Sequence, residues 1–399
     1  MSKQLQDAYI VAASRTPIGK APRGAFKNTR PDELLVHAIR SAIAQVPDFD
    51  TKLIEDAIIG CAIPEAEQGL NVARMGALLA GLPNTVGGVT VNRFCASGIT
   101  ALAMAADRIR VGESDAILAG GCESMSMVPM MGNKPSMSPH IFDRNEDVGI
   151  AYGMGLTAER VAERWKVSRE DQDAFSVESH RKALAAQQAG EFNDEIAPIT
   201  ITERFPNLAT GQVDVTTRTL ALDEGPRADT SAEGLAKLRA VFANKGSVTA
   251  GNSSQTSDGA GALLVVSEKV LKQFNLTPLA RFVSFAVRGV PPEIMGIGPK
   301  EAIPAALKAA GLKQDDLDWI ELNEAFAAQS LAVMRDLGLD PAKVNPLGGA
   351  IALGHPLGAT GAIRAATVVH GLRRRNLKYG MVTMCVGTGM GAAGIIERL

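Results

Sequence analysis

Cys95 stands where the sequence predicts that a strand is followed directly by a helix. The β-branched run 89–91 is typical of a strand end, and the alanine-rich run 99–110 predicts a helix. A thiol at a helix N-terminus meets free backbone N–H groups and the positive end of the helix dipole, which favours the nucleophilic thiolate. A cysteine here could equally be a small buried core residue. This stretch alone leaves both interpretations open.

Two more residues carry groups that could act beside such a thiol. His355 lies in the glycine- and proline-rich segment 354–358, which is too irregular for a core helix. An imidazole in a loop is a candidate general base, although a lone histidine is more often structural. Cys385 follows the apolar run 381–384 and precedes several glycines, whose backbone N–H groups could stabilise an oxyanion.

Alternating strands and helices are expected to position these residues, which indicates an α/β layered fold. The expected strands are 8–13, 54–60, 116–119, 262–266, 319–322 and 381–384, with a hairpin over 199–205 and 212–217. The expected helices include 71–82, 157–165, 168–189, 303–310 and 362–372. A glycine-bearing loop, a helix, a strand and a Gly/Cys segment follow one another in both the first and last thirds. This order predicts a duplicated βαβ-type half, with ligand sites where the halves meet.

The middle of the chain differs from the rest in composition and periodicity. Residues 125–154 show no period and contain six methionines that either line an adaptable apolar pocket or belong to the core: Met125, Met127, Met130, Met131, Met137 and Met154. The Ser-, Thr- and Gly-rich run 247–261 either approaches a ligand closely or forms an ordinary capped turn. We therefore expect an N-terminal half over 1–124, joined by 251–275, an inserted loop domain over 125–250, and a C-terminal half over 276–399.

The bulk composition excludes several classes of protein. A net charge of -2 gives no general attraction to nucleic acid or to anionic membranes. Four cysteines without C-x-x-C spacing argue against a disulfide framework and against a zinc site, and no metal site is expected. The sequence shows no secretory signal and no run of about 18 apolar residues that would span a membrane. A cytoplasmic protein is the expectation.

Four motifs together resemble the thiolase family. They are NRFCASG at 92–98, NEAF at 323–326, GGAIALGHPLGATG at 348–361 and CVGTGMG at 385–391. The resemblance runs from Arg15 to the C-terminus, and the motifs are jointly very specific. It implies the thiolase fold, which is five-layered (α/β/α/β/α) and built from two similar halves plus a loop domain that covers acyl-CoA.

The resemblance also implies roles for five residues. Cys95 would be the nucleophile that carries an acyl thioester, and His355 would be its base and part of an oxyanion hole. Cys385 would act as the acid and base toward the acetyl-CoA carbanion. Asn323 would hold an oxyanion-binding water, and the N–H of Gly387 would join that of Cys95 in a second oxyanion hole.

The same resemblance places Ser254, Arg227 and Phe242 at CoA, and Met154 and Phe326 at the wall of the pocket. Coenzyme A is then a substrate, and no metal or redox cofactor is required. The implied partners are acyl-CoA, CoA, further copies of the chain in a homodimer or homotetramer, and a β-oxidation partner subunit. Neither nucleic acid nor a membrane span is expected.

The residue at position 153 is the main indication of the branch of the family to which the chain is most similar. Acetoacetyl-CoA-specific members tend to carry a histidine just before the pocket methionine, where this chain has Gly153. The resemblance is therefore greatest to the degradative 3-ketoacyl-CoA thiolases (acetyl-CoA acyltransferases), which cleave 3-ketoacyl-CoA with CoA in fatty acid β-oxidation.

The alternatives are an acetyl-CoA C-acetyltransferase working in the condensing direction and a non-catalytic thiolase-fold protein that binds acyl-CoA or lipid. Loss of a catalytic residue would have marked the second. A ketoacyl synthase acting on a carrier protein shares the general fold, but Cys385 argues against it.

Overall fold

The computed structural model describes residues 5–399. The strands are β1 (Tyr9–Arg15), β2 (Gly19–Lys20), β3 (Asp56–Gly60), β4 (Val89–Val91), β5 (Ala116–Ser124), β6 (Ile199–Asn207), β7 (Gln212–Leu220), β8 (Ser257–Val266), β9 (Ala280–Gly289), β10 (Trp319–Leu322), β11 (Tyr379–Val386) and β12 (Met390–Arg398). The helices are α1 (Pro31–Ala44), α2 (Val72–Ala80), α3 (Ser97–Arg110), α4 (Met154–Arg164), α5 (Arg169–Gln188), α6 (Ala232–Ala236), α7 (Glu268–Phe274), α8 (Gly298–Ala310), α9 (Ala327–Leu337), α10 (Ala350–Leu353) and α11 (Leu357–Arg374).

Local sequence signals explain where several of these helices begin and end. The hydroxyl of Ser168 accepts a hydrogen bond from the N–H of Asp171 at 3.1 Å and caps α5. Asn71 caps α2 in the same way, accepting from the N–H of Arg74 at 3.2 Å. Gly81 ends α2 in the left-handed conformation, with φ +92°, which glycine adopts without strain.

The main sheet consists of two parts with the same plan. In the N-terminal part the strand order is β1-β8-β5-β3-β4, and in the C-terminal part it is β9-β12-β11-β10. In each part a parallel pair (β3 with β5, β10 with β11) is extended by two antiparallel strands. This repetition confirms the predicted duplication into two similar halves. The parts join where β1 and β9 pair, Tyr9 opposite Arg281 and Ile10 opposite Ala280.

Helices α3 and α11 form the middle layer and pack in one core with strands of both parts. Helices α1 and α2 cover the outer face of the N-terminal part, and α8 and α9 cover that of the C-terminal part. The predicted α/β/α/β/α layering is confirmed. Each middle helix therefore contacts both halves of the protein.

Glycines allow the two middle helices to approach at backbone distance. A Cβ atom on Gly98 of α3 would lie 2.6 Å from the backbone nitrogen of Ala362 in α11. One on Gly361 would collide with the backbone nitrogen of Ile99. Because no side chain separates them, the N-terminal ends of α3 and α11 come together, and these ends carry the segments of Cys95 and His355.

The stretch between β5 and β8 holds α4, α5, α6 and the predicted hairpin, which the structure forms as β6 and β7. Buried Arg15, at the end of β1, fastens this stretch to the sheet. Its Nε lies 2.7 Å from Glu195 and its Nη1 lies 2.8 Å from Asp223. The division into 1–124, 125–250 and 276–399 stays a prediction.

Some elements are longer than the sequence indicated. Strand β5 runs on through the glycines of 120–121, and β8 begins at Ser257, inside the Ser- and Gly-rich run. Helix α11 begins at Leu357 and includes the last five residues of the glycine-rich motif, 357–361. In all three places small residues signal close packing against another backbone rather than a loop.

Candidate active site

Cys95 lies in a single 3₁₀ turn, Phe94–Ala96, directly before α3. The Ser97 hydroxyl fixes this turn, accepting from the N–H of Arg93 at 2.8 Å and donating to the carbonyl of Phe94 at 2.7 Å. Phe94 has φ +44°, a conformation that non-glycine residues rarely adopt. The turn leaves Cys95 partly exposed, with one side facing a cavity.

His355 lies between α10 and α11 and is 4% exposed. Its backbone N–H donates to the Ser257 hydroxyl at 3.0 Å, and its Nδ1 lies 2.7 Å from the hydroxyl of Thr360. Its Nε2 lies 3.3 Å from the amide nitrogen of Asn323. An amide nitrogen can only donate, so Nε2 accepts and Nδ1 carries the proton. The lone pair of Nε2 is the one available to take a proton.

Burial keeps His355 neutral. Burial and, to a smaller extent, the positive charge of Arg364 together lower the pKa of the imidazole to about 3. Neutral imidazole is the form that can act as a base. The prediction of His355 as a base fits this protonation state, and its role stays a prediction.

The expected thiolate at Cys95 is wrong for the free protein. Burial raises the pKa of this thiol to about 12. The backbone N–H groups of Gly387 and of Cys95 itself oppose that shift, and the charge of Glu123 adds to it. The packing of protein around most of the thiol outweighs the helix N-terminus, which favours the neutral thiol in the free protein.

The same N–H groups, those of Gly387 and Cys95, are the pair predicted to form an oxyanion hole. Both act on the Cys95 sulfur and lower its pKa. Gly387 directly follows β11, at the tight connection to β12. Two donors that converge on the nucleophile's sulfur are also close to any carbonyl oxygen bonded through it.

Cys385 is the next-to-last residue of strand β11 and is fully buried. Its apolar neighbours include Phe326, Met295 and Met154. Burial raises the pKa of this thiol, and the nearby Cys95 raises it further. The structure therefore brings the two predicted catalytic sulfurs close enough to interact electrostatically.

Asn323 follows β10, and its backbone N–H donates to the carbonyl of Thr383 in β11 at 2.9 Å. The residue is 3% exposed. Its side-chain oxygen has no hydrogen-bond partner within residues 5–399. A buried polar atom of this kind is available to a small polar molecule, as the predicted oxyanion water requires.

The cavity at Cys95 has a volume of about 560 Å³ and is mostly apolar. Four of the six methionines line it: Met130, Met131, Met137 and Met154. Met125 and Met127 do not, so the pocket interpretation is wrong for these two. The sulfur of Met125 instead accepts from the backbone N–H of Ser257 at 3.4 Å. At Gly153, a Cβ atom would meet nothing within 4 Å, so this side of the cavity is open.

The structure does not bring all the residues predicted to contact CoA to one cavity. Arg227 lines a second cavity of about 460 Å³, together with His180, Ser253 and Gln255. Ser254 does not line this cavity, and its backbone N–H donates to the carbonyl of Ala325 at 2.9 Å.

Phe242, predicted to contact CoA, and Phe326, predicted at the wall of the pocket, contact each other. Phe242 is 40% exposed, and its ring meets that of Phe326 edge-on, with centroids 6.1 Å apart. Phe326 is buried behind Met154, beside Cys385, rather than on the cavity surface.

Sequence reasoning assigned no role to three residues that position the site. Thr360 and Ser257 hold the imidazole ring and the backbone of His355. Glu123 accepts from the N–H of Ala62 at 2.7 Å and from that of Gly358 at 2.9 Å, and so ties α11 to β5. Ser257 and Thr360 lay inside motifs already noted, but their types alone did not indicate these contacts.

Comparison with known proteins agrees with this geometry. The family model described as "Thiolase, N-terminal domain" matches residues 8–269, and the one described as "Thiolase, C-terminal domain" matches residues 276–398. The chain belongs to the thiolase family. The resemblance inferred from the four motifs is confirmed.

Individual thiolases match along their whole length. The 3-ketoacyl-CoA thiolase of Bacillus subtilis (strain 168) is 49% identical over 395 residues, which cover 98% of this chain and 100% of the relative. The acetyl-CoA acetyltransferase of Bacillus anthracis superimposes with a TM-score of 0.88 and 40% identity, covering 100% of both chains. Human mitochondrial 3-ketoacyl-CoA thiolase in complex with CoA gives a TM-score of 0.87 and 39% identity, covering 99% of this chain and 98% of the other.

Proposed function

We propose that the protein is a 3-ketoacyl-CoA thiolase that cleaves 3-ketoacyl-CoA with CoA into acetyl-CoA and a shortened acyl-CoA. The observation that carries the proposal is the position of Cys95. Its sulfur faces an apolar cavity of about 560 Å³, receives two backbone N–H groups, and lies near the buried thiol of Cys385. Relatives named 3-ketoacyl-CoA thiolase support the same reaction.

The first step is attack by Cys95 on the 3-keto carbon. The neutral thiol has a pKa of about 12, so its proton leaves as the carbon–sulfur bond forms, and Nε2 of His355 accepts it. The keto oxygen becomes an oxyanion. The N–H groups of Cys95 and Gly387 stabilise it, because they already point at the attacking sulfur.

The second step breaks the bond between C2 and C3 of the substrate. The shortened acyl group stays on Cys95 as a thioester, and acetyl-CoA leaves as an enolate. Cys385 protonates the C2 carbon of this enolate. His355, whose side chain lies 3.3 Å from that of Asn323, and a water held by Asn323 stabilise its thioester oxygen. The proton that His355 received from Cys95 then replaces the one that Cys385 gave up.

In the third step CoA releases the acyl group. The CoA thiol attacks the thioester, and its proton passes to His355 and then to the departing sulfur of Cys95. The products are acetyl-CoA and an acyl-CoA two carbons shorter, and every protein group returns to its initial protonation state. The reaction uses only thiols, an imidazole and N–H donors, so it requires no metal or redox cofactor.

The open side of the cavity favours the degradative branch. At Gly153 no atom lies within 4 Å of the Cβ position, and the neighbouring wall consists of flexible methionines. This space accommodates acyl chains longer than the methyl group of acetoacetyl-CoA. The condensing acetyl-CoA C-acetyltransferase remains the second candidate, since it would use the same catalytic groups.

The proposal extends to partners and location. Arg227 and its cavity of about 460 Å³ are the place for CoA. The chain would act in the cytoplasm as a homodimer or homotetramer, in fatty acid metabolism, with a β-oxidation partner subunit as a further contact. Within residues 5–399, no helix has the length and apolar character needed to cross a membrane.

Trapping the acyl-enzyme tests the proposed function. The protein is incubated with 3-ketooctanoyl-CoA without free CoA, digested, and analysed by mass spectrometry. We expect a hexanoyl group on the Cys95 peptide and its loss when CoA is added. The Cys95→Ser variant should show no thioester. A wild-type Cys95 that stays unmodified after incubation with the substrate would contradict the proposal.

A further inference from the structure

The cavity beside Cys95 has one charged side chain among its described lining residues, that of Glu65. The rest of the lining is apolar or neutral and includes four methionines. The carboxylate of Glu65 is therefore the one charge that the described lining presents to whatever enters the cavity. Glu65 therefore sets the electrostatic character of the space that holds the acyl chain.

The carboxylate of Glu65 is held in place by the methionine loop, which we define as residues 130–137. It accepts a hydrogen bond from the backbone N–H of Asn133. Gly132 passes directly over it with φ +81°, and a Cβ atom there would lie 2.7 Å from Oε2. Because residue 132 is glycine, the loop leaves room for the carboxylate of Glu65, which a side chain at position 132 would displace.

The carboxylate of Glu65 is not part of an ion pair among the described residues. Within residues 5–399, Glu65 forms no salt bridge with a lysine, arginine or histidine. Among the described residues, the cavity lining also contains no lysine, arginine or histidine. A substrate that brings a second carboxylate into the cavity would therefore meet a like charge and find no compensating partner.

We propose that Glu65 is a specificity-determining residue: it makes the pocket accept 3-ketoacyl-CoAs with uncharged acyl chains and reject those whose chain ends in a carboxylate. The inference rests on the proposed thiolase function and names its substrate class more narrowly. Like-charge repulsion is a common way to exclude a competing ligand. The same carboxylate orders the loop that carries Met130, Met131 and Met137.

The test compares two substrates of equal length. Initial rates of CoA-dependent cleavage give kcat/KM for 3-ketohexanoyl-CoA and for 3-oxoadipyl-CoA, which differ in whether the six-carbon chain ends in a methyl or a carboxylate. The wild type should prefer the uncharged substrate by about tenfold or more. In Glu65→Gln the amide oxygen can still accept from Asn133, while the charge is lost. This variant should reduce the preference by about tenfold.

Glu67→Gln is the matched control. Glu67 lies on the same turn, outside the cavity lining, and its substitution should keep the wild-type preference. Thermal unfolding of each variant checks that the fold is kept, and a Glu65→Asp variant, which keeps the charge, should keep the preference.

The outcomes separate the two claims. If the wild type cleaves both substrates equally well, or if Glu65→Gln leaves the preference unchanged, the role of Glu65 is overturned while the thiolase function stands. If neither substrate is cleaved, the proposed function fails and this inference fails with it.

Discussion

The amide nitrogen of Asn323 lies 3.3 Å from Nε2 of His355, and both side chains are buried. The contact joins the end of β10 to the start of α11, so it spans the C-terminal part of the sheet and the middle layer. It determines which imidazole nitrogen can take a proton. The side-chain oxygen of Asn323 stays buried and without a hydrogen-bond partner among residues 5–399.

Replacing Asn323 should slow catalysis more than it weakens substrate binding. Because the amide stabilises charge that develops during the reaction, Asn323→Ala should lower kcat by about 100- to 1,000-fold with a small change in KM. Steady-state kinetics with 3-ketooctanoyl-CoA measure both. The exposed Asn84→Ala variant is the control and should match the wild type. A loss confined to KM would show that Asn323 serves binding only.

Cys95 should react with alkylating agents slowly at neutral pH. Its thiol has a pKa of about 12, and only the thiolate reacts, so the alkylation rate by iodoacetamide should rise about tenfold per pH unit from about pH 7 to pH 9. Mass spectrometry of the Cys95 peptide follows the reaction in the free protein. A rate that levels off below about pH 8 would instead indicate a thiolate stabilised in the resting state.

Cys385 should control the proton of acetyl-CoA. Cys385→Ala removes the acid and base, so turnover in both directions should fall by about 100-fold or more, and so should exchange of the acetyl-CoA Cα protons in deuterated water. The control is Cys122→Ala, which removes a buried thiol of another strand. Exchange that continues at the wild-type rate in Cys385→Ala would refute this role.

Gly153→His should narrow the cavity from its open side. The Cβ position has free space, so the variant should fold, and its ring should occupy volume that longer acyl chains use. We expect kcat/KM for 3-ketooctanoyl-CoA to fall by roughly tenfold relative to acetoacetyl-CoA. Gly153→Ala adds only a methyl group and should change this ratio little. An unaltered ratio in Gly153→His would remove the argument from pocket size.

The sequence predicted the order of elements well where short-range rules apply. The strand 89–91 and the helix after Cys95 follow from β-branched and alanine-rich runs, and the Ser168 cap follows from its spacing to Asp171. The duplication was visible because the two halves repeat the same order of loop, helix and strand. These features depend on local propensity and pattern, which a single sequence carries.

The parts that the sequence did not predict depend on distant contacts. The thiolate expectation at Cys95 considered the helix N-terminus but not the burial that several elements create together. Strand β9 and helix α9 were not predicted from the sequence. Helix α11 begins earlier than expected, because a glycine that looked like part of a loop, Gly361, packs against Ile99 of α3. The partners of His355, Ser257 and Thr360, became recognisable only once β8 and α11 lay side by side.

The most direct test of the central claim compares kcat/KM for CoA-dependent cleavage of acetoacetyl-CoA and of 3-ketooctanoyl-CoA by the wild-type protein. The open cavity at Cys95 and Gly153 predicts that the longer substrate is cleaved at least as efficiently as the shorter one. Cleavage of acetoacetyl-CoA alone would contradict the degradative assignment and identify an acetyl-CoA acetyltransferase whose pocket is closed by something other than residue 153.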